Sequence, residues 1–198
     1  MNPAEVHELF ERHGAISAGH FKLSSGRHSD AYVQCARVLE HPRVAASLAR
    51  ALTERVAGPI DVVVSPAMGG MLIGYLVAHE IGCRFLFTER VDGSMTLRRG
   101  QMLTRGERAL VVEDVITTGG SAAEVVAIVG SAEAGLVGVA SLIDRSEGSL
   151  PFHLDALLRV SATSWEAADC PLCAGGEALT TPGSRALSNP GTSKTSSR

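Results

Sequence analysis

Aromatic residues make up only 4% of this 198-residue chain, and no apolar run approaches the roughly 18 residues that a membrane-spanning helix needs. Basic charge is not in excess either: 18 Lys and Arg against 21 Asp and Glu give a net charge of −3. No general positive field therefore recommends nucleic acid or an anionic membrane as partner. The four cysteines, Cys35, Cys83, Cys170 and Cys173, are too few and too scattered for a disulfide framework, so a reducing cytoplasm is the expected setting. The opening stretch MNPAEVHELFERHGAIS carries acids and helically spaced apolar residues (Val6, Leu9, Phe10) where a secretory signal would show a basic region and an apolar core. Neither GxGxxG nor GxxxxGK[ST] occurs, which removes the two commonest nucleotide cradles.

What is present is 45% apolar and 20% charged residues, enough for one well-buried core and short for two. A single domain over residues 1–175 is expected. The remainder, 176–198, is rich in Gly, Ser, Thr and Pro, and its last 15 or so residues are expected to be disordered.

Along the chain, a helix over about 3–13 precedes the polar stretch HFKLSSGRHSDAY (His20 to Tyr32), whose short alternation suggests a strand or hairpin. An alanine-rich helix over about 42–57 follows. Apolar runs at Ile60 to Val64, Arg84 to Thr88, Ala109 to Val112 and Leu136 to Ile143 read as strands, and Met71 to Ile81 and Gly119 to Val129 read as helices. That alternation predicts an α/β fold with a mainly parallel central sheet covered on both faces. Ligands of such sheets bind beyond the carboxyl ends of the strands, which singles out loops 65–70, 89–106 and 113–121.

The third loop carries the chemistry. In VVEDVITTGGSA (Val111 to Ala122) a buried strand delivers two adjacent acids, Glu113 and Asp114, and a Thr/Gly/Ser loop then opens a helix. The backbone N–H groups of Gly119 and Gly120, the hydroxyls of Thr117, Thr118 and Ser121, and the positive helix end suit a phosphate. The acids upstream suit sugar hydroxyls or a place beside a magnesium ion. A plain strand-to-helix turn with a Thr or Ser cap explains the hydroxyls but not consecutive acids at the end of an apolar strand.

Apolar strand, two acids, two residues and then TTGGS resembles the signature of type I phosphoribosyltransferases. The resemblance implies that fold, with a small N-terminal hood contributed by about residues 15–35. It implies that Glu113 and Asp114 bind ribose hydroxyls, that Val115, Ile116, Thr117, Thr118, Gly119, Gly120 and Ser121 line the ribose and 5-phosphate, and that Mg²⁺ is the cofactor, with Asp114 the one candidate for a direct protein ligand.

Other stretches are similar to orotate phosphoribosyltransferases over roughly residues 15–150. HFKLSSGRHSDAY matches that family's F-x-L-x-S-G-x-x-S-x-x-Y segment, which implies orotate contacts at Lys22, Ser25, Gly26 and Tyr32, with Thr117 beside them. In ASLIDRSEG, Arg145 follows an apolar strand, where a guanidinium can grip a carboxylate in a fork. SPAMGG resembles the loop that cups the diphosphate, implying Ala67, Met68 and Gly69, although much of the family has a lysine where this chain has Met68 and Gly69. The 89–106 stretch lacks the usual Lys and His and offers Arg90, Arg98 and Arg99 as the catalytic cations. Its MTLRRG is similar to a bacterial branch found in Thermus. The resemblance further implies a homodimer whose 89–106 loops are shared between sites.

The expected activity is transfer of the phosphoribosyl group of 5-phosphoribosyl 1-diphosphate to orotate, in pyrimidine nucleotide synthesis. A purine phosphoribosyltransferase and a non-catalytic sensor of the same donor are the rivals. No nucleic-acid or membrane partner is expected. Cys170 and Cys173 form a CxxC pair with no second pair and no histidine nearby in sequence: half a zinc site, a redox pair or buried thiols. His20 and His28 receive no role.

Overall fold

The computed structural model describes residues 1–23 and 25–182, which divide into two units, 1–17 with 33–161 and 18–32 with 162–182.

In the larger unit, helix α1 (Pro3–Arg12) starts at the expected residue: Asn2 and Glu5 form a reciprocal capping box, Pro3 fixes the first turn, and Val6 and Phe10 face the core. The short helix α2 (Ala36–Leu39) leads into α3 (Pro42–Thr53), which stops four residues before the expected end. The six-stranded sheet has the order β5-β4-β3-β6-β7-β8, built from β3 (Val62–Pro66), β4 (Arg84–Val91), β5 (Ser94–Leu97), β6 (Arg108–Ile116), β7 (Gly135–Asp144) and β8 (Leu154–Arg159). All neighbours are parallel except β4 and β5. Helix α4 (Gly69–Ile81) connects β3 to β4, and α5 (Gly120–Ser131) connects β6 to β7.

Side-chain alternation shows why the strands read as unbroken apolar runs. Val63, Leu110, Val112, Ala140 and Leu142 pack into one core, together with Phe10, Leu48 and Ile73. Their neighbours Val62, Val64, Ala109, Val111 and Val139 pack into a second core with Val125 and Val129 of α5. Neither face of the sheet is wet, as expected for parallel strands.

The chain leaves β3 toward β4 on one side and returns to β6 on the other. The sheet therefore has its switch point between β3 and β6, where crevices open at the carboxyl ends of doubly wound sheets.

Three strands escape the sequence reading. β5 lies inside the expected 89–106 loop: Val91 pairs with Ser94 across a two-residue turn, with Asp92 and Gly93 both at positive φ (48° and 88°). An Asp-Gly hairpin turn is a legible signal. β8, LDALLR, is made of helix formers and is a strand because it pairs with β7. β9 (Ser164–Trp165) is only two residues long.

In the smaller unit, β1 (Ile16–Lys22), β2 (His28–Val33) and β9 form a three-stranded sheet. Arg27 reinforces it by donating to the Ser164 carbonyl (2.8 Å) and pairing with Glu166 (2.6 Å). Residues 167–169 make one 3₁₀ turn, and α6 (Pro171–Ala174) follows. In the stretch read as tail, Glu177 and Thr180 are held by backbone hydrogen bonds to Leu172 and His20. Composition alone does not reveal a strand-like bridge such as Phe21 to Thr180. The last 15 or so residues, expected to be disordered, lie outside the described residues.

Candidate active site

The loops after β3 and β6 meet at the switch point. β6 does not end before the acids but continues through them to Ile116, with Glu113 opposite Ser141 and Ile116 opposite Asp144 of β7. Glu113 is buried, and its carboxyl is pushed up to about 9, chiefly by burial and next by the charge of Asp114. Backbone N–H groups of Asp114 and Gly70 pull the other way. Asp114 is half-buried, and its Oδ1 accepts from the N–H of Val115 at 2.9 Å. Beneath the pair, the Cys35 thiol faces the Asp114 carbonyl at 3.8 Å. Burial, then the charges of Asp114 and Glu113, push that thiol up.

Two glycines let the start of α4 approach these acids. A methyl group on Gly69 would lie 2.6 Å from Asp114 Oδ1, and one on Gly70 would lie 2.7 Å from the Val112 carbonyl and 3.0 Å from Glu113 Oε1. The Ala67–Met68 peptide just before them is cis, and the Met68 side chain is exposed.

Gly119 ends the acid loop at φ 74° and serves as the N-cap of α5. A side chain there would meet Leu150 at 2.9 Å and Phe152 at 3.1 Å, so glycine answers both the dihedral and the packing. Thr117, Thr118 and Gly120 are exposed, Ser121 is half-buried, and Val115 and Ile116 turn inward. The first N–H groups of α5 point out of this loop, as in any helix start, and favour an anion.

Arg145 is half-buried just past β7, and its backbone N–H donates to the Ile116 carbonyl at 2.7 Å. That bond sets it at the same sheet edge as Thr117. The three loop arginines are placed differently. Arg90, on β4, pairs with Glu124 of α5 at 2.8 Å and donates to the Gly93 carbonyl. Glu124 also accepts from the Met95 N–H at 3.0 Å, so it ties the hairpin to α5; its carboxyl is lowered, first by Arg90. Arg99 has positive φ (57°) and pairs with Glu89 at 2.9 Å. Arg98 is exposed, and its charge helps to lower the Glu89 carboxyl after the larger effect of Arg99. Glu89 and Glu124 escape a reading made from the cations alone, because their partners lie 10 and 34 residues away.

In the smaller unit, Lys22 is exposed, and its N–H donates to the Thr180 carbonyl at 2.8 Å. Ser25 is exposed, Gly26 turns at φ 88° with its N–H on the Leu23 carbonyl, and the ring of Tyr32 lies 5.7 Å from that of Phe21.

The chemistry of this donor set is specific. Two adjacent carboxylates, one of them destabilised as an anion, face a hydroxyl- and N–H-rich helix start across a glycine-bordered gap. The acids can accept from vicinal hydroxyls while the loop holds a phosphate.

A family model described as phosphoribosyl transferase domain matches residues 34–156. An orotate phosphoribosyltransferase of Desulforamulus reducens is 47% identical over 94% of this chain and 100% of its own. One of Caldanaerobacter subterraneus is 45% identical, with the same coverages. The crystal structure of orotate phosphoribosyltransferase from Aeropyrum pernix superposes with a TM-score of 0.68 at 24% identity, covering 78% of this chain and 93% of that one, and so matches in fold.

Proposed function

The chain belongs to the phosphoribosyl transferase family, and on that footing we propose that it transfers the phosphoribosyl group of 5-phosphoribosyl 1-diphosphate to orotate, in pyrimidine nucleotide synthesis. The observation that carries this reading is the meeting of the Glu113–Asp114 pair with the Gly69–Gly70 turn and the helix-opening Thr117 to Ser121 loop. Full-length relatives at 45% and 47% identity that bear the name of this activity support the choice of acceptor.

In this reading the C1–oxygen bond to diphosphate breaks, a bond from an orotate ring nitrogen to C1 forms, and the nitrogen's proton is lost. Thr117 to Ser121 and the α5 N-terminus hold the 5-phosphate, and Glu113 and Asp114 accept from the ribose 2- and 3-hydroxyls. Those acids position the sugar; they do not act as catalytic bases. Ala67, Met68 and Gly69 offer backbone to the diphosphate. Arg145 grips the orotate carboxylate, and Lys22, Ser25, Gly26, Tyr32 and Thr117 are further base contacts. Most of the rate comes from orientation and from charge stabilisation of an oxocarbenium-like transition state.

Mg²⁺ fits the donor set, since the half-buried Asp114 offers hard carboxylate oxygens beside the helix-opening loop that is proposed to hold the phosphate. When bound, it neutralises charge on the departing diphosphate. Asp114 is the one side chain proposed to approach it directly. Arg90, Arg98 and Arg99 are proposed to supply the remaining positive charge. A homodimer with shared 89–106 segments and a cytoplasmic location complete the reading; among the described residues no helix is long and apolar enough to cross a membrane.

Calorimetric titration tests the acceptor. Orotate binds the parent in the presence of the donor's product diphosphate and Mg²⁺, and binds Arg145→Ala at least about 10-fold more weakly, as expected for loss of a charge-assisted fork. Adenine binding in place of orotate binding sinks the assignment.

A further inference from the structure

We infer that His20, His28, Cys170 and Cys173 form a structural zinc site that holds the smaller unit together. The four potential ligand atoms lie within 4.8 Å of one another. His20 Nε2 lies 3.0 Å from His28 Nδ1, 3.4 Å from Cys170 Sγ and 3.6 Å from Cys173 Sγ, and His28 Nδ1 lies 3.2 Å from Cys173 Sγ. Tetrahedral zinc with bonds of about 2.3 Å to sulfur and about 2.05 Å to nitrogen sets its ligands roughly 3.3–3.8 Å apart. The cluster already has nearly that size.

Proton placement favours a cation over a hydrogen-bonded cluster. His20 Nδ1 lies 3.0 Å from the Glu177 carbonyl, and a carbonyl can only accept, so Nδ1 carries the hydrogen. In the neutral ring Nε2 is then a lone pair, and it faces one nitrogen and two sulfurs at once. One lone pair cannot satisfy three neighbours by hydrogen bonds, whereas one cation satisfies all four atoms. A histidine N–H on a backbone carbonyl is also the usual support of a zinc-bound imidazole.

Packing supplies an independent reason. Among the described residues of the smaller unit, the buried apolar side chains are Phe21 and Cys170 alone, while His20, His28 and Ser29 are buried polar groups. So small a core does not hold a fold of this size, and units of this kind are commonly completed by a metal. His20 and His28 stand on β1 and β2, Cys170 caps the start of α6 and Cys173 lies within it, so one ion ties the hairpin to the C-terminal segment. Four protein ligands leave no open position, which makes the site structural and not catalytic.

The test uses the full chain, purified without chelator, and does not depend on the proposed activity. Elemental analysis is expected to find about one zinc per chain after gel filtration, and Co²⁺ exchange to give the d–d and thiolate charge-transfer absorption of a tetrahedral sulfur–nitrogen site. Stripping the parent with a strong chelator lowers its melting temperature by at least about 5 °C, and Zn²⁺ restores it. Cys173→Ser and His28→Ala lose the cobalt spectrum. Parent protein that retains no zinc and gives no tetrahedral Co²⁺ spectrum when supplied with excess metal overturns the proposal, as does a Cys170–Cys173 disulfide found in that protein under reducing-cytoplasm conditions.

Discussion

At the scale of single residues, Glu113 is where binding and stability pull in opposite directions. Its ordinary carboxyl value is 4.5, and in the fold it is pushed up to about 9 by burial and by Asp114. The folded state therefore holds a proton that the unfolded chain releases. Its contribution favours folding at low pH and is progressively lost as pH rises from near 4.5 through 9. Glu113→Gln removes this titration while keeping shape. Without ligand, the stability gap between variant and parent in urea unfolding is expected to widen in the variant's favour by up to about 4 kcal/mol between about pH 5 and pH 8. The same variant raises the KM for the phosphoribosyl donor by about 10-fold, through a lost hydroxyl contact. Parallel stability curves would contradict the strained-acid account.

At the scale of elements, the motifs decide how much can be read in advance. The acid pair and TTGGS loop announce themselves because strand, acids and helix start are contiguous, and the buried strands announce themselves because both faces are apolar. The need for Gly69 and Gly70 is legible only as a turn, since the atoms that forbid a side chain belong to β6, more than 40 residues on. β8 shows the reverse failure: LDALLR has the composition of a helix, and pairing with β7 overrides it. The four-ligand cluster escapes for the same reason as Glu124, because His20 and Cys170 are 150 residues apart and only a fold joins them. The β4–β5 hairpin divides the loop arginines: Arg90 fastens it to α5, whereas Arg99 pairs with a residue of the hairpin's own base strand. Arg99→Ala is expected to lower kcat by about 100-fold with little change in the KM for orotate, as for loss of transition-state charge stabilisation. Steady-state kinetics check it, and an unchanged kcat with a raised KM would move Arg99 from catalysis to binding.

At the scale of the whole molecule, the switch point between β3 and β6 explains why the chemistry gathers at one sheet edge. Parallel strands deliver the ends of β3, β6 and β7 to the same side, so the cis-peptide turn, the acid loop and Arg145 need no long excursions to meet there. The family membership carries the donor, and the acceptor follows from relatives that match over nearly the whole chain. The claim is tested most directly by incubating the purified protein with orotate, 5-phosphoribosyl 1-diphosphate and Mg²⁺ and following the ultraviolet absorbance of orotate. The account predicts a donor-dependent loss of that absorbance, matched mole for mole by diphosphate released. Unchanged orotate alongside consumption of adenine, or no turnover with either base, would contradict it.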